Sequence, residues 1–117
     1  MKFLIMVTEA TADTLLADDG GLAKLVQFHE DMQRAGVLLA VEGLHPSDEA
    51  VRVQYADGQR IVACGPIAGS DAPIAGFWLI QVGSRDEAVA WARQVPLVNG
   101  ELEVRQAAVQ ILQTCIL

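Results

Sequence analysis

Most of the reactive chemistry of this 117-residue chain lies in two histidines, two cysteines and a loop rich in glycine and proline. His45 follows an apolar run and precedes Pro46. An imidazole at a strand end can act as a general base or proton shuttle near neutral pH. Glu42 could orient it or supply a second acid. The two are an odd step apart, so on a regular strand they face opposite sides and meet only if the chain bends at Gly43. The plainer role for His45 is a hydrogen bond to the loop backbone. Asp71, in the loop Gly65 to Gly76, is a carboxylate that could reach into a cleft; a solvated loop charge is its plainer role. Cys64 ends a strand and opens that loop. Backbone amides or Arg60 could favour its thiolate as a nucleophile, whereas a buried, inert thiol is the commoner fate of a free cysteine.

His29 lies beside Glu30 and Asp31 within a helical pattern. Neighbouring residues on a helix point about 100° apart, so these three are no ready metal site. His29 falls at the edge of the core-facing side, between a solvated helix face and a pocket wall. Phe77 and Trp78 alternate in facing along a strand, so one packs under the helices and the other faces a cleft or a dimer seam. An aromatic wall with few charges suits a flat, apolar ligand. Zinc spacing and a Ser-His-Asp pattern are both missing. The glycines at 65–76 lack the Lys-Ser/Thr and the following helix of a phosphate loop. No metal and no cofactor is expected.

These groups must be held by one domain, the natural reading of a chain this long. The composition is 52% hydrophobic and 20% charged, enough apolar side chain for one packed core. The formal charge of −7 argues against nucleic acid and against anionic lipid as partners. The apolar run Phe3 to Val7 is too short for a signal peptide or a membrane span. Two cysteines make no disulfide framework. The expected setting is the reducing cytoplasm.

Lys2 to Val7 reads as a buried strand, and Thr8 to Asp19 as a loop with at most a helical turn at Ala12 to Leu16. Asp18 or Asp19 is placed to cap the helix that follows. Leu22, Leu25, Val26, Phe28 and Met32 form the apolar stripe of that helix, Gly21 to Ala35, closed by Gly36. Val37 to Val41 reads as a strand buried on both faces. Val51 to Tyr55 and Gln59 to Cys64 flank the turn Asp57-Gly58, a strong hairpin signal. Phe77 to Val82 is the next strand. Ser84 and Glu87 form a capping box for a helix from Arg85 to Arg93, with Ala88, Val89 and Trp91 or Ala92 inward. Pro96 stops it. Glu101 to Gln106 alternates as a last strand, and Ala107 to Leu117 is an apolar tail.

The order β-α-β-β-hairpin-β-α-β matches a ferredoxin-like α+β fold, with an extra hairpin and with helices on one face of an antiparallel sheet. The other face needs a cover. A second copy is the simplest, giving a homodimer with its sheets face to face; the tail folding over its own sheet is the alternative.

The segment R-A-G-V-L-L-A-V-E-G-L-H-P-S from Arg34, G-P-I-A from Gly65, and I-A-G-F-W-L-I-Q-V followed by S-R-D-E-A from Ile74 resembles the YCII-related family, in particular its DGPF branch. With E-V-R-Q from Glu103, the resemblance covers nearly the whole chain. It implies a ferredoxin-like domain that dimerises into an α/β barrel around a cleft. The name-giving Asp-Gly-Pro-Phe is degenerate here. Cys64 stands for the Asp, Ile67 for the Phe, Gly69 for a following Glu, and Asp71-Ala72 for a Lys-Glu pair. Lys24 or Leu25 occupies the place of the histidine in the His-Asp pair of related proteins, so that dyad does not carry over. Relatives that resemble dehalogenases or lyases of aromatic breakdown products imply one role, and members associated with sigma factors imply another.

Two functions follow as expectations. The first is a small homodimer binding a mostly apolar organic ligand in a cleft and carrying out cofactor-independent proton transfer (isomerisation, elimination or cyclisation). His45, Asp71 and Glu42 would be catalytic, and Phe77, Trp78, Cys64 and His29 would bind the ligand. The alternative is a non-catalytic binding or regulatory subunit acting on a partner protein.

Overall fold

A computed structural model describes residues 1–17, 19–67 and 72–108, with Leu16 by its backbone only. It is a mixed α+β domain with antiparallel sheets and three helices among the described residues. In chain order the elements are β1 (Lys2–Thr8), α1 (Glu9–Ala17), α2 (Gly21–Arg34), β2 (Leu38–Gly43), a 3-10 turn (Ser47–Glu49), β3 (Val51–Ala56), β4 (Gln59–Cys64), β5 (Ile74–Gln81), α3 (Arg85–Ala92) and β6 (Leu102–Gln106). Four strands form one open sheet in the order β2-β5-β1-β6, and β3 and β4 form a separate hairpin.

Period-2 burial divides the large sheet into two faces. Phe3, Ile5 and Val7 on β1 and Trp78 and Ile80 on β5 are buried. They form one core with Phe28 and Met32 of α2 and Ala88 of α3, against which Ala12 of α1 packs. All three helices therefore cover the same face. The alternate residues stand on the other face in two rows fixed by the register. One row reads Ala40, Leu79, Leu4, Arg105; the other reads Glu42, Phe77, Met6, Glu103.

Local signals placed several elements. Asp57 (φ 51°) and Gly58 (φ 77°) both take the left-handed values that a two-residue turn of this hand requires. Ser84 caps α3 by accepting from the Glu87 amide at 3.2 Å. The reciprocal bond reaches one residue further back, with Glu87 Oε2 accepting from Gly83 N at 3.0 Å. Gly36, at φ 73°, follows the Ala35 cap of α2.

Other expectations are corrected. Residues 9–17 form a full helix, held by tertiary contact: Thr11 and Leu15 are buried, and Thr11 Oγ1 accepts from Glu101 N at 3.3 Å. The cap of α2 is Gly20 in the left-handed region, with no side-chain hydrogen bond. In the α2 stripe, Leu22 and Val26 are exposed while Phe28 and Met32 are buried; Val89 of α3 is exposed as well. The apolar run at 37–41 belongs to an edge strand, not a doubly buried one, and Leu39 and Val41 lie open. The strand read as Phe77 to Val82 begins earlier, at Ile74. Beyond Ala108 the apolar tail lies outside the described residues.

Candidate functional site

A small apolar cavity of about 240 Å³ opens between the helix layer and the sheet. Ala12 and Leu15 of α1, Leu25 and His29 of α2, and Trp78 and the Gly43–Gly76 pair of the sheet line it. The glycine pair explains why there is space. Gly43 and Gly76 are cross-strand partners on the helix-facing side, in register with Val7. A Cβ on Gly76 would sit 2.7 Å from the carbonyl oxygen of Glu42, so β2 and β5 approach too closely there for any side chain. A Cβ on Gly43 would meet nothing within 4 Å. The volume at Gly43 is therefore accessible space rather than a packing requirement.

His29 is the polar side chain that the helix layer brings to this cavity. Its Nε2 lies 2.8 Å from Trp78 Nε1. An indole nitrogen can only donate, so Nε2 accepts and the ring's proton resides on Nδ1. Partial burial, by desolvating the charged form, holds the His29 pKa below its ordinary value of 6.5. The imidazole is thus neutral at pH 7, with one lone pair already engaged and one N–H as its remaining donor. Phe28 packs edge-on against Trp78, with ring centroids 5.8 Å apart and planes at 90°. An edge-to-face pair of this kind adds about 0.5–1.5 kcal/mol beyond its buried area and fixes the indole.

His45 stands elsewhere. Its side chain is 90% exposed, and Nδ1 is 3.7 Å from Glu49 Oε2. The carboxylate beside it is Glu49, not Glu42; the bend needed to join His45 and Glu42 does not occur. Glu42 is exposed and shares the open sheet face with Phe77. His45 rims a second groove of about 460 Å³ walled by Leu44, Pro46, Pro66, Ile67 and Pro73. Glu9 holds the segment below His45. Its Oε1 accepts from Ser47 Oγ at 2.6 Å and its Oε2 from Ser47 N at 2.9 Å. The Ser47 hydroxyl, and then the Ser47 amide, lower the Glu9 pKa.

Trp78 is buried under the helices, where its indole meets His29, while Phe77 is half-buried with a ring on the alternate face of the strand, although both residues border the cavity. Cys64 is exposed. Arg60 is not beside the thiol: its guanidinium lies 5.5 Å from the Tyr55 ring centroid. Arg52 instead donates through Nη1 to the Cys64 carbonyl oxygen at 2.8 Å. Asp71 lies outside the described residues. Among the described residues no three His, Cys, Asp or Glu side chains converge on a metal-sized site, and no helix is long and apolar enough to cross a membrane.

Sequence reasoning missed Glu9, Gly43 and Glu49. Pro46-Ser47-Asp48 carries turn chemistry, and the 3-10 turn it forms is what sets Glu49 beside His45. Glu9 and Ser47 are 38 residues apart, and Trp78 and His29 are 49 apart. Neither pairing has a local signal.

Residues 1–109 match the YCII-related domain. An uncharacterised protein of Rhizobium meliloti (strain 1021) is 38% identical over 77 residues, 63% of this chain. That match spans 62% of the relative's length. With the match running from β1 past β6, the chain belongs to the YCII-related family.

Proposed function

We propose that this chain is a ferredoxin-like domain that works as a homodimer and binds a small, neutral, mostly apolar organic molecule in the cavity beside His29 and Trp78. The observation that carries the reading is the neutral imidazole, held by the Trp78 indole N–H at 2.8 Å on the wall of an otherwise apolar cavity. Apolar cavities of roughly 150 Å³ accept benzene-sized guests. At about 240 Å³ this one suits a single ring with a small substituent. The remaining His29 N–H fits one acceptor oxygen, such as that of a ketone or lactone. A carboxylate ligand fits poorly, because among the described residues no cation lines the cavity and the chain carries a net −7.

Binding is favoured over proton transfer at His29 because a general base needs a free lone pair on a ring basic enough to use it. Nε2 is occupied and burial lowers the basicity. Proton-transfer chemistry would fall to His45 with Glu49, over the separate groove at Pro46 and Pro66. Homodimerisation is supported by the apolar row Leu79 and Leu4, with Phe77 and Met6 beside it, on the face that no helix among the described residues covers.

A ligand-observed NMR screen of one-ring ketones and lactones tests the reading, with Gly43→Val and His45→Ala in parallel. Gly43→Val fills the cavity from a position without backbone strain or contact. Binding is expected to the parent and to His45→Ala, and to be lost in Gly43→Val with the fold intact. Equal binding to Gly43→Val, or loss in His45→Ala, would move the site to the outer groove.

A further inference from the structure

Among the described residues, the β3–β4 hairpin has one face with no partner. Cross-strand partners share a face, so the register sets Val51 with Cys64, Val53 with Val62, and Tyr55 with Arg60 on one side. Val51, Val53, Tyr55 and Val62 are 64%, 49%, 70% and 69% exposed. A two-stranded hairpin is marginal in water by itself, and this one joins no strand of the larger sheet. The radius of gyration is 16.4 Å, where a compact chain of this length has about 13 Å.

Charge selects the occupant. Residues 51–64 carry two arginines and one aspartate, a net +1, while the rest of the chain carries six basic and fourteen acidic side chains, a net −8. The hairpin is thus complementary to its own molecule's body. On the open sheet face, Phe77 and Met6 sit between two carboxylates, Glu42 and Glu103. Glu103 is 3.7 Å from Arg105. Glu42 makes no ion pair among the described residues. Arg60 stacks at the Tyr55 end of the apolar hairpin face, and aromatic side chains with arginine are the usual anchors of interfaces.

We infer that the hairpin is an exchange arm: its Val51, Val53, Tyr55 and Val62 face lies across the open sheet face of a second copy, with Arg60 of one copy against Glu42 of the other. Side chains of this size expose on the order of 400 Å² per arm. Two such arms, with the sheet surface they cover, reach the roughly 1,600 Å² of a standard interface under two-fold symmetry. This rests on the homodimer reading above and assigns the element and the contact that make it.

Sedimentation equilibrium on the full chain at low salt, with circular dichroism to check folding, tests the contact by charge reversal. Arg60→Glu and Glu42→Arg should each weaken the dimer by about tenfold or more, and the double variant should return to within about threefold of the parent. Val62→Asp, in the middle of the exposed face, should weaken it without altering the sheet. Single variants as tightly dimeric as the parent, or weakened singles that the double does not rescue, would overturn the arm and leave the homodimer standing. A monomeric parent would overturn both.

Discussion

At the residue scale, one imidazole sets the character of the cavity. His29 is neutral because α2 lays it against the sheet, where the Trp78 indole uses its Nε2. The pH dependence follows from the direction of its shift. The folded-state pKa lies below 6.5, so the unfolded chain takes up a proton at a higher pH than the folded chain. This contribution to stability is fully present above about pH 6.5 and is lost as pH falls through the folded value. Urea midpoints at pH 7.5 and 5.5 should therefore fall further on acidification for the parent than for His29→Gln. Equal drops would mean that His29 is not held neutral by the fold. His29→Leu leaves the buried indole N–H without an acceptor and should destabilise by about 1–3 kcal/mol in denaturant titrations at pH 7.5. His29→Gln, which keeps an acceptor, should lose less. Glu9 acts in a lower window, since its pKa is depressed from 4.5 and its hold on Ser47 weakens only as pH falls below that value.

At the scale of elements, the cavity exists because β2 and β5 meet at two glycines with different tolerances. Gly76→Ala drives a Cβ onto the Glu42 carbonyl oxygen and should cost about 1–3 kcal/mol. Gly43→Ala should be near neutral. Melting curves of the two variants check the contrast, and similar losses in both would contradict the register. What was legible here was local. Asp57-Gly58, Ser84 with Glu87, and Gly36 each announce their element because the turn, the cap and the helix end are formed by neighbours in sequence. What was illegible depended on distant partners. Residues 9–17 have no broad apolar stripe and are held as a helix through Thr11 and Leu15 against the rest of the fold. The run at 37–41 has the composition of a buried strand, and only the sheet order makes it an edge. His29 reads from the sequence as either a solvated helix residue or a pocket wall, and its Trp78 partner, 49 positions away, is what decides between them.

At the scale of the whole molecule, one helix layer on one open sheet leaves two surfaces for the two proposed roles, ligand binding and association. The helix side encloses the cavity at His29, while the open face and the hairpin carry the apolar and charged groups that the proposed dimer would use. The tasks are separable, because Trp78 and Phe77 are neighbours in sequence yet serve opposite faces. The most direct measurement follows the indole N–H resonances during titration with a bound one-ring ketone or lactone. Trp91, which contacts Phe28 on the same side at a ring-centroid distance of 6.4 Å but does not line the cavity, is the internal control. With the ligand in the cavity, the Trp78 signal is expected to shift in a saturable way with the His29 ring protons, while Trp91 and His45 stay nearly still. Saturable shifts confined to His45, with Trp78 unmoved, would place the ligand in the outer groove and contradict the account.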